Sequence, residues 1–194
     1  MAERPRLILA SASPRRLSLL AQIAVEPDEV IAAEADESAL AGERPRDYVS
    51  RVALAKAQLV SAKAPGALIL AADTAVACGR RILPKAEDEA TALACLQLLS
   101  GRSHRVFTGL VLAGPDEASR QRIVETRVKV ARLDAKDIDN YVASDEWRGK
   151  AGGYAIQGLF ARHVVSIIGS YSNIVGLPLY ETANLLKGAG WSAP

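Results

Sequence analysis

Cysteine and histidine are scarce in this chain of 194 residues, which contains two of each. Cys78 and Cys95 are too few and too far apart for a disulfide framework, and they lack the paired spacing of a zinc site. So little cysteine fits a reducing compartment. We therefore expect a cytoplasmic protein without structural disulfides or zinc.

Long apolar runs are absent as well. Only four apolar residues, 7–10, lie between the charged start of the chain and Ser11, which is too short for the core of a signal peptide. The longest apolar run, residues 67–72, is far shorter than the roughly 20 residues that cross a bilayer. The sequence therefore predicts no association with a membrane.

A strong net charge is also missing. Lysine and arginine total 24 and aspartate and glutamate total 22, a formal charge of +2, which is too small to predict a stable nucleic-acid partner. The sequence has no Walker A motif and no HExxH zinc motif, and no nucleophile elbow accompanies His104 or His163. Any phosphate-binding role therefore requires a local cluster of cations.

The apolar share of 49% and the charged share of 24% are those of an ordinary globular protein. No repeat or linker divides the chain, so we expect one domain over residues 1–194. Strands are predicted from apolar or alternating runs at residues 7–10, 25–32, 67–77, 81–83, 104–113 and 122–133. We expect 81–83 to form a hairpin with 67–77, and the last two runs to form an antiparallel pair. Helices are predicted from caps and helical spacing after Ser13 and at residues 46–63, 87–99, 134–143 and 178–187. The mixture predicts an α/β fold, a two-lobed mixed sheet flanked by helices with a central cleft.

The sequence SASPRR at residues 11–16 has the pattern of an anion-binding helix start. Ser13 suits the N-cap and proline follows at the first helical position. Arg15 and Arg16 in the first turn oppose the helix dipole, and a bound phosphate would reverse that unfavourable placement. The alternative is that both arginines are solvated after an ordinary cap.

Two carboxylates are candidates for metal or water chemistry. Asp73 ends an apolar strand, where it could hold Mg²⁺ or orient a water, although an aspartate also commonly begins a turn. Glu37, with Asp36 and Glu34 nearby, lies on a polar loop that is solvated in the ordinary case. If this loop folds over the same cleft as Asp73, the two carboxylates could share one cation.

Of the two candidate lysines, Lys56 and Lys85, only Lys56 has a position in the sequence that suggests a role. The helix at 46–63 is predicted to bury Tyr48, Val52, Ala55 and Leu59. Lys56 falls in line with Val49 and Val52, so it emerges from the apolar stripe, either as a functional group or as a side chain that snorkels past the core edge. Lys85 has no such positional argument.

The sequence KAGGYAIQG at residues 150–158 is a glycine-rich loop that a ligand could approach closely. Gln157 offers both a donor and an acceptor to the edge of a base. Because the loop lacks a Walker or dinucleotide-binding pattern, a structural turn is the alternative.

Taken together, these segments resemble the Maf family of nucleoside triphosphate pyrophosphatases in their order from Leu7 to about Leu186. The resemblance rests on LASASPRR at 9–16, AKA at 55–57, AADT at 71–74, LSG at 99–101 with His104 and Thr108, KAGGYAIQG at 150–158, GSY at 169–171 and VGLPL at 175–179. Two departures stand out. The family usually has lysine followed by proline where this chain has proline before Lys85, and Gly153 replaces a commoner alanine.

The resemblance implies a fold related to the inosine triphosphatase group, a divalent metal cation (Mg²⁺ or Mn²⁺) and a homodimer. Asp73 would be the proton acceptor, with Glu37 beside it in metal or water handling and Lys56 in the catalytic set. Phosphates would be held by Arg15, Arg16, Lys56 and Lys85. Arg15, Thr74 and Gln157 match positions linked to substrate choice, and Ser13 and Lys150 complete the candidate substrate-binding residues.

The loop that contains Gln157 is similar to that of the subfamily that hydrolyses dTTP and UTP, and modified pyrimidine nucleotides are a related expectation. Two alternatives stay open. One is a 7-methyl-GTP pyrophosphatase, whose loop differs at Gln157, and the other is a nucleotide-sensing regulator of cell division. A sensor without turnover would have no need of Asp73, Glu37 and Lys56 together.

Overall fold

The computed structural model describes residues 4–114 and 119–191. Its strands are β1 (Leu7–Ala10), β2 (Glu29–Val30), β3 (Leu68–Cys78), β4 (Arg81–Leu83), β5 (Lys85–Ala86), β6 (Ser103–Ala113), β7 (Ser119–Val130), β8 (Lys150–Ala151) and β9 (Val164–Ile168). Its helices are α1 (Pro14–Gln22), α2 (Pro45–Ser61), α3 (Glu89–Leu99), α4 (Ala135–Val142), α5 (Tyr171–Val175) and α6 (Leu179–Gly188), with a 3₁₀ turn at Leu159–His163.

Seven of the strands form one mixed sheet. Six lie in the order β2–β1–β3–β6–β7–β9, and β4 pairs with the end of β3. The pairs β1–β2 and β1–β3 are parallel, whereas β3–β4, β3–β6, β6–β7 and β7–β9 are antiparallel. The strands β5 and β8 form a separate antiparallel ribbon. The predicted α/β class with a mixed sheet is confirmed.

Helices cover both faces of the sheet. On one face α2 packs against β1, β3 and β6, through small and β-branched residues such as Val52, Ala53 and Val60. On the other face the main core joins the sheet to α1, α3, α4 and α6, with Leu20, Leu96 and Tyr141 among its buried residues. Each helix therefore buries one side against the sheet, as burial of amphipathic elements requires.

Several local predictions hold, because short-range signals determine them. The strands at 104–113 and 122–133 form the predicted antiparallel pair as β6 and β7, although β7 is shifted to Ser119–Val130. Asp134 caps α4 in a full capping box with Asp137. The hairpin strand Arg81–Leu83 also pairs with β3 as predicted.

Other local predictions are wrong. The predicted strand at 25–32 is reduced to the two residues of β2. The predicted apolar face of α2 is only half right, since Tyr48 and Val52 are buried but Leu59 is 42% exposed. Val49 and Val60 are fully buried instead. The strand β9 and the helix α5 were not predicted, because both form in a stretch whose sequence carries no clear period.

The predicted domain of residues 1–194 includes residues 1–3, 115–118 and 192–194, which lie outside the described residues. None of the described helices has the length and apolar character that a membrane crossing requires.

The close approach of α2 to the sheet depends on Gly109. This glycine lies on β6, directly opposite Asp73 of β3. A Cβ atom at Gly109 would lie 2.2 Å from the carbonyl oxygen of Val49 on α2 and 2.6 Å from its carbonyl carbon. A side chain of any size at this position would therefore push α2 away from the strand pair beneath it.

We expect Gly109→Ala to lower the free energy of unfolding by about 3 kcal/mol, the upper range for overpacking a core. Urea unfolding followed by circular dichroism measures the change. Gly188→Ala is the matched control, because a Cβ there meets only the flexible guanidinium of Arg120 at 3.4 Å. The control should shift stability by less than about 1 kcal/mol, and an equal effect of both variants would contradict the prediction.

Candidate active site

A cleft of about 410 Å³ opens where the three parallel strands end. The loops that follow β1 and β2 line it. Asp73 lies inside β3 rather than at its end, which corrects the predicted placement, but it is two residues beyond the last β3 residue paired with β1. Ligands in α/β sheets gather at this edge. The cleft lining includes all ten residues predicted from the sequence, namely Ser13, Arg15, Arg16, Glu37, Lys56, Asp73, Thr74, Lys85, Lys150 and Gln157.

A buried ion pair joins α2 to β3 at the base of the cleft. The ammonium group of Lys56 donates to Oδ1 of Asp73 over 2.7 Å, and both side chains are less than a tenth exposed. Burial raises the pKa of Asp73, while the charges of Lys56 and Arg16 partly offset that rise. The second oxygen, Oδ2, is buried without a hydrogen-bond partner among the described residues. It is therefore an unpaired acceptor at the base of the cleft, which Asp73 helps to line.

Glu37 extends the ion pair into a chain of charges. Its Oε1 lies 2.6 Å from Nζ of Lys56, and its Oε2 accepts a hydrogen bond from Lys85. Burial alone would raise the pKa of Glu37, but the hydrogen bonds and charges of Lys56 and Lys85 outweigh it and lower that pKa to about 2. Asp36 instead turns away and accepts from the amide of Ser38. Of the acidic loop residues, only Glu37 lines the cleft.

Arg16 is buried in the cleft wall by contacts with neutral oxygens. Its Nε donates to the carbonyl of Gly176 over 2.8 Å, and its Nη1 donates to the hydroxyl of Ser11 over 3.0 Å. Gly176 adopts φ of 130°, which residues with a side chain rarely reach. Burial lowers the pKa of Arg16, whereas the charge of Asp73 raises it. The guanidinium is therefore fixed in place without a carboxylate directly bound to it.

Hydroxyl groups link this arginine to the sheet. The hydroxyls of Thr74 and Thr108 lie 2.9 Å apart on neighbouring strands, and Nη2 of Arg16 lies 3.4 Å from the Thr74 hydroxyl. The hydroxyl of Thr108 also donates to the carbonyl of Asn173. Sequence reasoning gave Thr108 and Gly176 no role, because their partners lie far away in the chain.

A second cationic wall is formed by Arg15 and Lys150. Burial lowers the pKa of Arg15, and burial followed by the nearby charge of Arg15 lowers the pKa of Lys150. Ser13 stands at the N-cap position, but its side chain makes no cap hydrogen bond, which corrects the expectation of an ordinary serine cap. Its backbone N–H instead donates to the hydroxyl of Ser11.

The loop that carries Gln157 is supported by hydrogen bonds to residues that do not line the cleft. The amide of Ala155 donates to the Tyr141 hydroxyl over 2.8 Å, and the amide of Leu159 donates to Glu146 over 2.7 Å. The Tyr154 hydroxyl lies 2.7 Å from Nε2 of His104. Gln157 itself is exposed at the cleft wall. Its side chain is therefore free to meet a ligand on a supported loop.

The charges of the cleft favour an anion. Five cationic and two carboxylate side chains line it, a formal excess of three positive charges. Within the described part of the chain, Arg15, Arg16 and Lys150 lie within salt-bridge distance of no carboxylate. A ligand with several negative charges would supply what these three cations lack.

Carboxylate oxygens are the ligands that the cleft offers to a hard divalent cation. Oδ2 of Asp73 has no partner among the described residues, whereas both oxygens of Glu37 contact lysines. Across residues 4–114 and 119–191, no group of three His, Cys, Asp or Glu side chains could hold a metal ion. Magnesium sites that use one or two carboxylates together with substrate phosphates match this donor set.

Both the sequence and the fold of this chain are similar to those of known proteins. The family described as Maf-like protein matches residues 6–189. A dTTP/UTP pyrophosphatase of Caulobacter vibrioides is 58% identical over 191 residues, which cover 98% of this chain and 99% of that protein. A dTTP/UTP pyrophosphatase of Paramagnetospirillum magneticum is 60% identical over 186 residues, which cover 96% and 98%.

The fold is also similar to a solved structure, that of the Staphylococcus aureus Ham1 protein. The TM-score is 0.50 at 15% sequence identity, and the match covers 94% of this chain and 98% of the other. At that identity the likeness concerns the fold alone.

The buried His104 should make stability depend on pH. Burial lowers the pKa of His104 to about 4, so the unfolded chain binds this proton more tightly than the folded chain does. The free energy of unfolding should therefore keep its full value above about pH 6.5, the ordinary pKa of a histidine in the unfolded chain. It should fall by about 2 kcal/mol between about pH 7 and about pH 5. Urea unfolding at several pH values measures the loss. His104→Gln keeps a polar group for Tyr154 but cannot titrate, and an unchanged pH slope in that variant would contradict the assignment.

Proposed function

Because the chain belongs to the Maf family, we propose that it hydrolyses dTTP and UTP to the nucleoside monophosphate and pyrophosphate. Relatives at 58% and 60% identity over nearly the whole chain are named dTTP/UTP pyrophosphatases. The observation that carries the proposal is the cleft itself, in which cations exceed carboxylates by three beside a buried carboxylate with one open oxygen.

The cations divide into two groups with different tasks. Arg15, Arg16 and Lys150 have no carboxylate partner among the residues that the structure describes, so we assign them to the phosphate oxygens. Arg16 is already fixed by neutral acceptors, so it loses little side-chain freedom when an anion binds. Lys56 and Lys85 are bound to Glu37 and would neutralise charge that develops as the phosphoanhydride bond breaks.

Asp73 is the best candidate for the proton acceptor. Its Oδ1 is occupied by Lys56, which leaves Oδ2 to accept a proton from a water that attacks the α-phosphorus. Burial raises the pKa of Asp73 and makes the carboxylate a stronger base than a solvated one. Lys56 holds it charged and in a fixed position.

A divalent cation, Mg²⁺ or Mn²⁺, belongs to this proposal, with Asp73 and Glu37 as its protein ligands. When bound, such an ion neutralises phosphate oxygens and polarises the phosphorus under attack. The support is the nearness of the two carboxylates, which both contact Lys56. The ion would replace part of that lysine contact, so that Oδ2 of Asp73 would stay available for the proton.

Gln157 is the group that would select the base. Uracil and thymine present an N3–H donor flanked by carbonyl acceptors, which a carboxamide can match with its own acceptor and donor. A 7-methylguanine base carries a positive charge and calls for a carboxylate or an aromatic face instead. Modified pyrimidines that keep the N3–H and its carbonyls would also be accepted.

A homodimer and a cytoplasmic location stay predictions of the family resemblance and the composition.

Substrate ranking tests the function directly. We expect pyrophosphate and the monophosphate as products, with higher kcat/KM for dTTP and UTP than for CTP and 7-methyl-GTP. Gln157→Ala should reduce the preference for dTTP and UTP, measured as the ratio of kcat/KM values, by about tenfold. The reason is that alanine cannot form hydrogen bonds with the edge of the base. Gln97→Ala, an exposed glutamine on α3 outside the cleft, is the matched control.

Three outcomes would refute parts of the proposed function. A diphosphate and inorganic phosphate as first products would overturn the bond assignment. If 7-methyl-GTP ranked first, or if Gln157→Ala kept the ranking, the base-reading role of the loop would be wrong even for an active pyrophosphatase.

Removal of the proton acceptor should abolish most turnover. We expect Asp73→Asn to lower kcat by ~10²–10⁴-fold, the usual cost of losing a general base. Circular dichroism and the unfolding midpoint show whether the variant is folded. Asp139→Asn, an exposed aspartate on α4, should retain full activity. Near-normal turnover by folded Asp73→Asn would exclude Asp73 as the base.

A further inference from the structure

The loop of residues 31–44 joins β2 to α2 and carries Glu37 to the cleft. Little apolar packing holds its central part. Leu40 is the only large apolar side chain among residues 34–44, and it is 59% exposed. The position of Glu37 must therefore come from polar contacts.

Open space lies behind Glu37 as well as in front of it. A second cavity of about 370 Å³ is lined by Ala39, Tyr48, Ile82 and neighbouring residues, and it shares Glu37 and Lys85 with the cleft. With a cavity on each side, van der Waals contact alone does not fix the carboxylate. The loop needs anchors on another element.

Two residues of α2 provide such anchors. The guanidinium of Arg51 binds Glu43 through two parallel hydrogen bonds of 2.7 and 2.9 Å, and it also donates to the carbonyl of Ser38 over 2.9 Å. Glu43 in turn accepts from the amide of Leu40 over 3.0 Å. The Tyr48 hydroxyl donates to the carbonyl of Glu37 over 2.9 Å. These contacts bind the loop at the backbone of Glu37 and Ser38 and at the side chain of Glu43, without using the side chain of Glu37.

The independence of these contacts matters for turnover. Lys56 and Lys85 also hold Glu37, but both line the cleft where phosphates would compete for them. When the phosphates of a bound nucleotide attract Lys56 and Lys85, the contacts of these lysines with Glu37 become weaker. Tyr48 and Arg51 lie outside that competition, because their bonds end on the loop itself.

We propose that Tyr48 and Arg51 are positioning residues, a clasp that holds the loop of residues 31–44 so that Glu37 stays beside Lys56 throughout hydrolysis. The proposal rests on the proposed function for its kinetic consequence. It also assigns the pair a purpose beyond stability, since α2 is anchored to the sheet by its own buried face.

Variants of the clasp should separate turnover from binding. With UTP and Mg²⁺, Arg51→Lys should lower kcat about tenfold, because lysine keeps the charge but cannot form the two-pronged contact. Tyr48→Phe removes a single hydroxyl and should lower kcat about threefold. KM should change less than about threefold in both, since Arg15, Arg16 and Lys150 are not on the loop. Arg46→Lys, which alters an exposed contact of the same helix with Glu125, is the matched control and should match the wild type.

A double-mutant cycle tests whether the clasp acts through Glu37. In the Glu37→Gln background, Arg51→Lys should cost less than about twofold in kcat, because the group it positions has already lost its charge. A full tenfold loss in that background would overturn the proposal and indicate a general structural effect. A loss that appears in KM alone would overturn it too.

Amide hydrogen exchange gives a readout that is independent of activity. Exchange at residues 36–43 should become at least about tenfold faster in Arg51→Lys and remain at the wild-type rate in the core strand β3. Unchanged exchange in the loop would overturn the clasp. If the wild-type protein released no pyrophosphate from dTTP or UTP, the proposed function would fail by itself, and exchange would still decide whether Tyr48 and Arg51 hold the loop.

Discussion

The contact between Lys56 and Asp73 is the constraint on which the rest of the site depends. Both groups lie in the core region between α2 and β3, where neither charge would be tolerated alone. A buried pair adds little net stability, but loss of one partner leaves an uncompensated charge, which costs several kcal/mol. The helix and the strand must therefore meet at a fixed distance. Gly109 makes this possible, because it removes the side chain that would otherwise stand between α2 and the sheet.

The ion pair leaves the site electrostatically incomplete. One oxygen of Asp73 has no partner among the described residues, and cations exceed carboxylates by three along the cleft. Such an arrangement is unfavourable in an empty cleft and becomes favourable when a polyanion enters, since buried charges need partners. Folding thus maintains a site whose charges are balanced only by a bound ligand. Structural ion-pair networks have no need of that imbalance, and this distinguishes the cleft from a merely stabilising cluster.

The sequence predicted those residues whose signals are local. Asp73 was identified as a carboxylate that directly follows an apolar run, although β3 continues past it to Cys78. Lys56 was identified by its place in a helical stripe. Arg16 was recognised as cationic at a helix start, but its burial against Gly176 depends on residues 160 positions away. Glu37 lies on an irregular loop, so only the fold could show that it meets Lys56. Tyr48 was predicted as core, because an apolar period cannot reveal that a ring also donates through its hydroxyl to a distant carbonyl.

The protein divides binding and chemistry between parts of different stiffness. Backbone and hydroxyl acceptors fix Arg16, so its guanidinium is already in position before any anion binds. Glu37 sits on a loop with cavities on both sides, held by hydrogen bonds rather than by packing. A rigid wall suits recognition, which gains from low entropy loss. A loop held by its own hydrogen bonds suits a carboxylate that must stay beside Lys56 while phosphates compete for that lysine. The same division explains why the anchors of the loop lie on α2, the helix that Lys56 already ties to Asp73.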